Sequence, residues 1–170
     1  MKRSRSSRGM LSLFHVAIKT GNLAATNRFY KTILGLVEHK RPDFGYPGAW
    51  LGSALPGAPA IIHIYAGGPA LGPSGQAPSG TAAIDHVSFA TTGYHATRAR
   101  IAAAGLDWRE FLVPGTTLWQ IFVYDPSGVQ LELTFDGAFE EGPPPDMRPG
   151  RAYVAGTSFF DAAAYEKFAA

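Results

Sequence analysis

Four residues that can bind a metal ion stand on four separate predicted strands. Apolar residues alternate along each strand, so the candidate side chain points to the face opposite the apolar one. The four are His15, His63, His86 and Glu132. Imidazole and carboxylate groups on a rigid sheet, with coordination positions left open, are typical of non-haem iron and related divalent metal centres. Open positions of this kind let a substrate bind the same cation.

The strand that carries Glu132 shows the clearest pattern. Asp125-Pro-Ser-Gly128 suits a type I turn, with proline at its second position and glycine at its fourth. Beyond the turn, Gln130, Glu132 and Thr134 alternate with Val129, Leu131, Leu133 and Phe135. A carboxylate in the middle of a strand with one buried face needs a partner, and we predict a cation. Asp125 is predicted to be a turn residue and not a base.

The two halves of the chain repeat one pattern. His15-Val-Ala-Ile-Lys-Thr-Gly and His86-Val-Ser-Phe-Ala-Thr-Thr-Gly each begin a strand that leads into a predicted helix. Three pairs of landmarks recur at nearly one offset: His15 and His86 are 71 residues apart, His63 and Glu132 are 69 apart, and the helix stops Gly35 and Gly105 are 70 apart. We therefore predict an internal duplication with the order β-α-β-β-β in each half. The fold class is α+β, with a curved sheet of mixed strand direction covered by helices on its outer face.

His63 and Tyr65 are each open to two interpretations. His63 is either a fourth ligand or a base that contacts the substrate. Tyr65 shares its face and is either a proton donor or a structural residue. His39 and His95 lie in a predicted surface strand and at a helix start, where solvated imidazoles are expected.

The second half supplies candidate pocket residues. Phe122 and Tyr124 share a face with Gln120, and either line a substrate pocket or pack the inner surface. We predict that Phe122, Gln120 and Gln130 contact the substrate, and that Tyr124 is a candidate acid or base.

Composition limits the class of protein. The 170 residues are 46% hydrophobic, which suits one domain or one domain of two similar halves. Four of the 15 basic residues lie in the first eight positions, which leaves 11 against 13 acidic residues. This mildly acidic body argues against a nucleic-acid surface. Cysteine is absent, which excludes thiolate chemistry and fits a cytoplasmic protein. No apolar run is long enough to span a membrane.

Three segments are predicted to lie outside the repeated pattern or between its halves. Residues 1–10 form a basic leader that we expect to be disordered. The Gly-, Pro- and Ser-rich stretch Gly67 to Gly80 is interpreted as a linker between the halves. Residues 137–170 form a C-terminal extension, with a short helix expected near Phe160 to Phe168 that packs on the body or on a partner.

These motifs resemble the vicinal oxygen chelate superfamily, over about residues 11 to 136. The group holds glyoxalase I, type I extradiol ring-cleaving dioxygenases, methylmalonyl-CoA epimerase, and the fosfomycin and bleomycin resistance proteins. The matching stretches are His15-Val-Ala-Ile, Asn22-Leu-Ala-Ala-Thr-Asn-Arg-Phe-Tyr30, Leu34-Gly-Leu36, Asp85-His-Val-Ser-Phe89 and Asp125-Pro-Ser-Gly-Val-Gln-Leu-Glu-Leu133. The resemblance implies paired βαβββ modules that form a cup around a divalent metal ion, usually in a homodimer. Whether one chain completes its own cup stays open.

The resemblance implies three candidate functions. Extradiol dioxygenases use a His, His, Glu set that matches His15, His86 and Glu132, which implies Fe(II) and a small catechol-like substrate. Glyoxalase I-type lyases or isomerases are the alternative, with nickel, zinc, manganese or cobalt, although bacterial glyoxalase I has a glutamate at the position of His63. A binding protein without turnover, as in drug resistance, is the third, but bleomycin-binding members lack the ligand set.

Overall fold

Two consecutive modules with the same order of elements build the chain, in a computed structural model that describes residues 13–168. The first module contains β1 (Val16–Lys19), α1 (Leu23–Ile33), β2 (Val37–His39), β3 (Gly48–Gly52) and β4 (Ala60–Tyr65). The second contains β5 (Val87–Ala90), α2 (Tyr94–Ala103), β6 (Arg109–Leu112), β7 (Leu118–Tyr124) and β8 (Gln130–Asp136). The predicted α+β class and the β-α-β-β-β duplication are confirmed. The predicted basic leader, residues 1–10, lies outside the described residues.

The strands form two four-stranded sheets. Their orders are β1-β4-β3-β2 and β5-β8-β7-β6, with β1–β4 and β5–β8 parallel and the other pairs antiparallel. Ala17 pairs with His63 in the first sheet, and Ser88 pairs with Glu132 at the equivalent place in the second. The mixed strand directions agree with the prediction. The strands form two sheets where one curved sheet was predicted, because β1 and β5 are not hydrogen-bonded to each other in the part of the chain described. The strand β5 begins at Val87, after a turn at residues 82–83.

The two helices begin in different ways. The side chain of Asn22 accepts a hydrogen bond from Ala25 N at 3.0 Å, which caps α1 locally. The start of α2 is capped from a distance, since Gly93 N and Tyr94 N both donate to the Glu140 carboxylate at 2.8 Å. A carboxylate at this end also interacts favourably with the helix dipole.

Each sheet has a helix face and a site face. The helix faces are buried with both helices in one shared core, which includes Ile18, Leu51, Ile62 and Ile64 from the first module and Ile121, Leu131, Leu133 and Phe135 from the second. The site faces are the opposite surfaces, and they carry the candidate ligands. Because the helix faces share a core, both site faces point away from it.

The C-terminal segment, residues 143–168, packs on the body. Tyr153 N donates to Glu110 O and Glu110 N donates to Arg151 O, both at 2.9 Å, so the segment runs parallel to the edge strand β6. It ends in a 3-10 helix, Ala162–Phe168, which packs against α1 through Phe29. The short helix expected near this position is confirmed.

Asp125 joins the two modules at the turn between β7 and β8. Its Oδ1 accepts hydrogen bonds from Ser127 N and Val129 N at 2.8 Å, which confirms the predicted turn role. Its Oδ2 accepts from the hydroxyl of Tyr30 in α1 at 3.0 Å, a contact that local pattern does not reveal. Burial raises the pKa of Asp125 to about 6, although these hydrogen bonds lower it.

We expect Asp125→Asn to change how stability depends on pH. The raised pKa means that the folded protein keeps this proton up to about pH 6, whereas the unfolded chain releases it near pH 4. The wild-type free energy of unfolding therefore falls by up to about 3 kcal/mol relative to the variant between pH 4 and pH 7. Urea unfolding of both proteins across this range measures the difference, and a difference independent of pH would contradict the expectation.

Candidate metal centre

The second module brings two of the predicted ligands together. His86 directly precedes β5, Glu132 lies in the middle of the neighbouring strand β8, and the two strands are paired. Their Nε2 and Oε2 atoms are 3.3 Å apart. Two ligand atoms at roughly 2.1 Å from one cation, at about a right angle or a little more, lie about 3.0 to 3.3 Å apart. The spacing therefore fits two neighbouring positions of a metal coordination sphere.

Asp85 fixes the orientation of the His86 ring. His86 Nδ1 lies 2.7 Å from Asp85 Oδ1, and because a carboxylate only accepts, Nδ1–H is the donor. The hydrogen bond from His86 lowers the pKa of Asp85, and the one from Tyr153 adds to this. With Nδ1 held by Asp85, Nε2 faces the Glu132 carboxylate, and a proton or a cation between the two atoms would stabilise this approach. Ligand histidines typically carry such a carboxylate on their second nitrogen.

The other oxygen of Glu132 is fully engaged. Oε1 accepts hydrogen bonds from Ser88 Oγ at 2.5 Å and Thr134 Oγ1 at 2.7 Å, and the residue is only 8% exposed. A buried carboxylate needs such compensation. The arrangement fixes the carboxylate and leaves Oε2 facing His86.

The first module holds the other two candidates as a pair. His15 directly precedes β1, and its ring stacks on that of His63 with centroids 3.9 Å apart and planes at 14°. His63 stacks in turn on Trp50, at 4.4 Å and 14°. The Nδ1 atom of His15 is buried without a hydrogen-bond partner among the described residues, so it lacks the partner that a buried polar atom normally has.

His63 is packed on both sides. It is 8% exposed, and burial lowers its pKa, with the neighbouring charges of His15 and Arg41 acting in the same direction. Stacked rings direct their in-plane lone pairs side by side, so both can bind one cation only after a tilt of one ring. The packing therefore favours His15 as the ligand of this pair and His63 as its support or as an acid or base.

The two pairs, which we call half-sites, lie on separate site faces. Within residues 13–168 no three His, Asp or Glu side chains stand close enough to hold one cation. The first half-site is His15 with His63, and the second is His86 with Glu132. Each chain thus presents two half-sites, and convergence of all four residues on one ion stays a prediction.

The predicted pocket residues of the second module lie under the C-terminal segment. The ring of Tyr153 stacks on that of Phe122 at 3.7 Å and 6°. Tyr124 packs against Phe159 and donates through its hydroxyl to Gln130 Oε1 at 2.7 Å. These contacts are those of packed residues, and the proposed roles in substrate binding or acid–base chemistry stay predictions.

The remaining predicted residues are placed as follows. Gln120 is half-buried on the site face of β7, and Tyr65 lies two residues from His63 with its ring edge-on to Tyr46. His39 Nε2 lies 3.0 Å from Ser53 O, and His95 Nε2 is buried beside Trp119. Both residues are half-buried, so the expectation that these two imidazoles are solvated holds only in part: one ring nitrogen of each is bonded or buried, and the rest of the side chain is partly exposed.

Several residues that complete the site are missing from the predicted set. Ser88 and Thr134 alternate in phase with His86 and Glu132, so the two-residue period of the strands could have identified them. Tyr153 carries no such signal, because it belongs to the C-terminal segment and reaches Asp85 Oδ1, at 3.1 Å, only in the folded chain.

The chain belongs to the Glyoxalase/Bleomycin resistance protein/Dioxygenase superfamily, whose family model matches residues 12–133. This result confirms the resemblance found in the motifs. The comparison with curated proteins finds no match.

Solved structures of this superfamily share the fold. The fosfomycin resistance protein FosX from Listeria monocytogenes is 18% identical, with 75% of this chain and 94% of that chain covered and a TM-score of 0.56. Lactoylglutathione lyase from Agrobacterium tumefaciens is 12% identical, with 77% of this chain and 98% of that chain covered and a TM-score of 0.55. TnmS3, an antibiotic binding protein from Streptomyces sp. CB03234, is 13% identical, with 75% of this chain and 97% of that chain covered and a TM-score of 0.54.

Among the described residues, no helix combines the length and the apolar character needed to cross a membrane.

Proposed function

We propose that this protein is a metal-dependent enzyme that holds a divalent cation with His15, His86 and Glu132 and presents it to two vicinal oxygens of a small substrate. The observation that carries the proposal is the second half-site. A carboxylate oriented by two hydroxyls faces, at 3.3 Å, an imidazole nitrogen whose ring is held in place by Asp85. This set of atoms is suited to a cation between them.

We further propose that the site is completed in a homodimer. The helix faces of both modules share one core within the chain, so the two site faces do not face each other across it. A second copy related by a two-fold axis would bring the first half-site of one chain to the second half-site of the other, twice. The superfamily's paired modules support this arrangement.

The leading chemistry is extradiol-type ring cleavage of a catechol-like compound with Fe(II). Two histidines and one carboxylate form the ligand set that suits this ion and leaves positions open. When bound, the ion supplies Lewis-acid and oxygen-activating chemistry. The chain's own contribution is to hold the substrate ring against the aromatic site face around Trp50 and to move a proton through His63, which packs on it.

The test is oxygen uptake. The full chain is purified without chelating resin, reloaded anaerobically with Fe(II), and given catechol while dissolved oxygen is recorded. We expect uptake that depends on Fe(II) and that is absent with Zn(II), together with a yellow ring-cleaved product. Metal binding without any oxygen uptake across a panel of catechols would contradict the dioxygenase assignment.

A glyoxalase-type lyase or isomerase is the second candidate. Burial lowers the pKa of His63, so its imidazole is suited to accept a proton from a carbon next to a substrate carbonyl. Turnover of a hemithioacetal with nickel, zinc, manganese or cobalt would favour this reaction. Binding of a small molecule without turnover under either condition would favour a non-catalytic role for this chain, in which it only binds its ligand; TnmS3 is an antibiotic binding protein.

A further inference from the structure

An arginine without an acidic partner stands at the edge of the first half-site. Arg41 lies in the loop between β2 and β3, with its guanidinium carbon 4.8 Å from the ring centres of both Phe44 and Tyr46. Its Nε and Nη2 atoms are buried, and within residues 13–168 they have no hydrogen-bond partner. Buried donors are nearly always paired, so two unpaired ones on a single guanidinium are a functional signal.

The nearest acidic residues along the chain bind elsewhere. Glu38 accepts a hydrogen bond from Asn27 Nδ2 at 3.3 Å. Asp43 accepts one from Gly45 N at 2.8 Å. The charge of Arg41 is therefore not neutralised by its own loop, which leaves its planar fork open to a carboxylate from another molecule.

The position of Arg41 connects it to the half-site. A Cβ atom at Gly48 would lie 3.2 Å from Arg41 Nε and Nη2, so the guanidinium lies over the first residue of β3. Trp50 lies two residues further along this strand, on the same face, and stacks on His63. The guanidinium therefore lies about one strand repeat, roughly 7 Å, from the position of Trp50, on the same surface that carries His63.

That surface is aromatic. Phe44 is 48% exposed, and its ring lies 5.9 Å from those of Tyr46 and Trp50. Flat apolar walls beside a guanidinium fit an anion that carries a planar ring.

We propose that Arg41, with Phe44 and Tyr46, forms a binding site for the carboxylate of an aromatic acid. The loop shifts on binding, so that Nε and Nη2 gain the acceptor oxygens that they lack. The carboxylate site rests on the proposed function in one respect only. That function requires the same aromatic acid to carry the two vicinal oxygens that bind the cation. The substrate class is then a small aromatic carboxylate with two adjacent oxygens.

The probe is benzoate, compared with neutral benzamide, on the full chain after treatment with a chelator. Calorimetric titration is expected to show benzoate binding that is at least tenfold tighter than benzamide binding. Arg41→Gln should weaken benzoate binding roughly 10- to 100-fold, as expected for loss of a hydrogen bond to a charged group. The matched control is Arg28→Gln, which removes the same charge from the exposed face of α1 in the same module and should leave the affinity unchanged.

A second measurement uses only the wild-type protein, in case Arg41→Gln does not fold. The Nε–H signal of Arg41 in a ¹H–¹⁵N spectrum should move downfield as benzoate saturates the protein. An unmoved signal, equal affinity in Arg41→Gln, or tighter binding of methylphosphonate than of benzoate would each overturn the proposal. Because the metal has been removed, failure here leaves the proposed metal chemistry standing, and failure of metal binding leaves the carboxylate site standing.

Discussion

Replacing Glu132 with glutamine should abolish tight metal binding. The change keeps the size of the side chain but removes the negative charge that faces His86 Nε2 at 3.3 Å. The loss should exceed the roughly 10- to 100-fold that removal of an outer partner of a metal ligand costs, because Glu132 is itself the proposed ligand. Fe(II) affinity measured by anaerobic titration tests this, and activity should fall with it. Glu141→Gln is the matched control, since Glu141 is exposed.

A mixing experiment separates a shared site from a site within one chain. His15→Ala disables the first half-site and Glu132→Gln disables the second. If each site takes one half-site from each of two chains, an equal mixture of the two variants, allowed to exchange subunits, should regain about a quarter of the wild-type sites. A site within a single chain would regain none. Unchanged metal affinity in both single variants would remove the basis of the metal proposal.

Replacing Tyr165 with alanine should destabilise the whole protein by about 3 to 5 kcal/mol, the range for loss of a large buried aromatic side chain. Tyr165 is 7% exposed and packs between Phe29 of α1 and Phe160. Its hydroxyl also donates to Tyr124 O at 2.5 Å, so the change leaves a buried carbonyl without its partner.

Urea unfolding monitored by circular dichroism measures this loss. Glu166→Ala, at the exposed neighbouring position of the same 3-10 helix, should stay within about 0.5 kcal/mol of the wild type. A loss below about 1 kcal/mol in Tyr165→Ala would mean that the C-terminal segment lies outside the cooperative fold. The expected result would show that the C-terminal segment belongs to the cooperatively folded unit, although it lies beyond residues 12–133, which the family model matches.

Local pattern was sufficient for the modules and for their candidate ligands. The two-residue alternation around Glu132 fixes which side chains share its face, because each strand has one face buried in the core. The repeated His-led strands followed by helices fix the β-α-β-β-β order, because each half must bury the same apolar face. Asn22 as a helix cap and Asp125 as a turn residue follow from side-chain chemistry that acts within a few residues.

Contacts between distant parts of the chain were not predictable in this way. Tyr153 reaches Asp85 across 68 residues, and Tyr30 reaches Asp125 across 95. Neither pair has a periodic signal, since each depends on how the second module packs on α1 and on the path of the C-terminal segment. Coverage of Phe122 by Tyr153 has the same origin, and the role of Phe122 in substrate binding stays a prediction.

The fold class, the duplication and the four candidate ligands are all predictable from spacing along single strands. Three further features emerge only in the folded chain: the candidate ligands form two separate pairs, His63 is held between two rings, and Arg41 Nε and Nη2 are buried with no hydrogen-bond partner within residues 13–168. Alternation along a strand sets the face on which a side chain lies, whereas the packing of whole sheets and loops sets which faces meet.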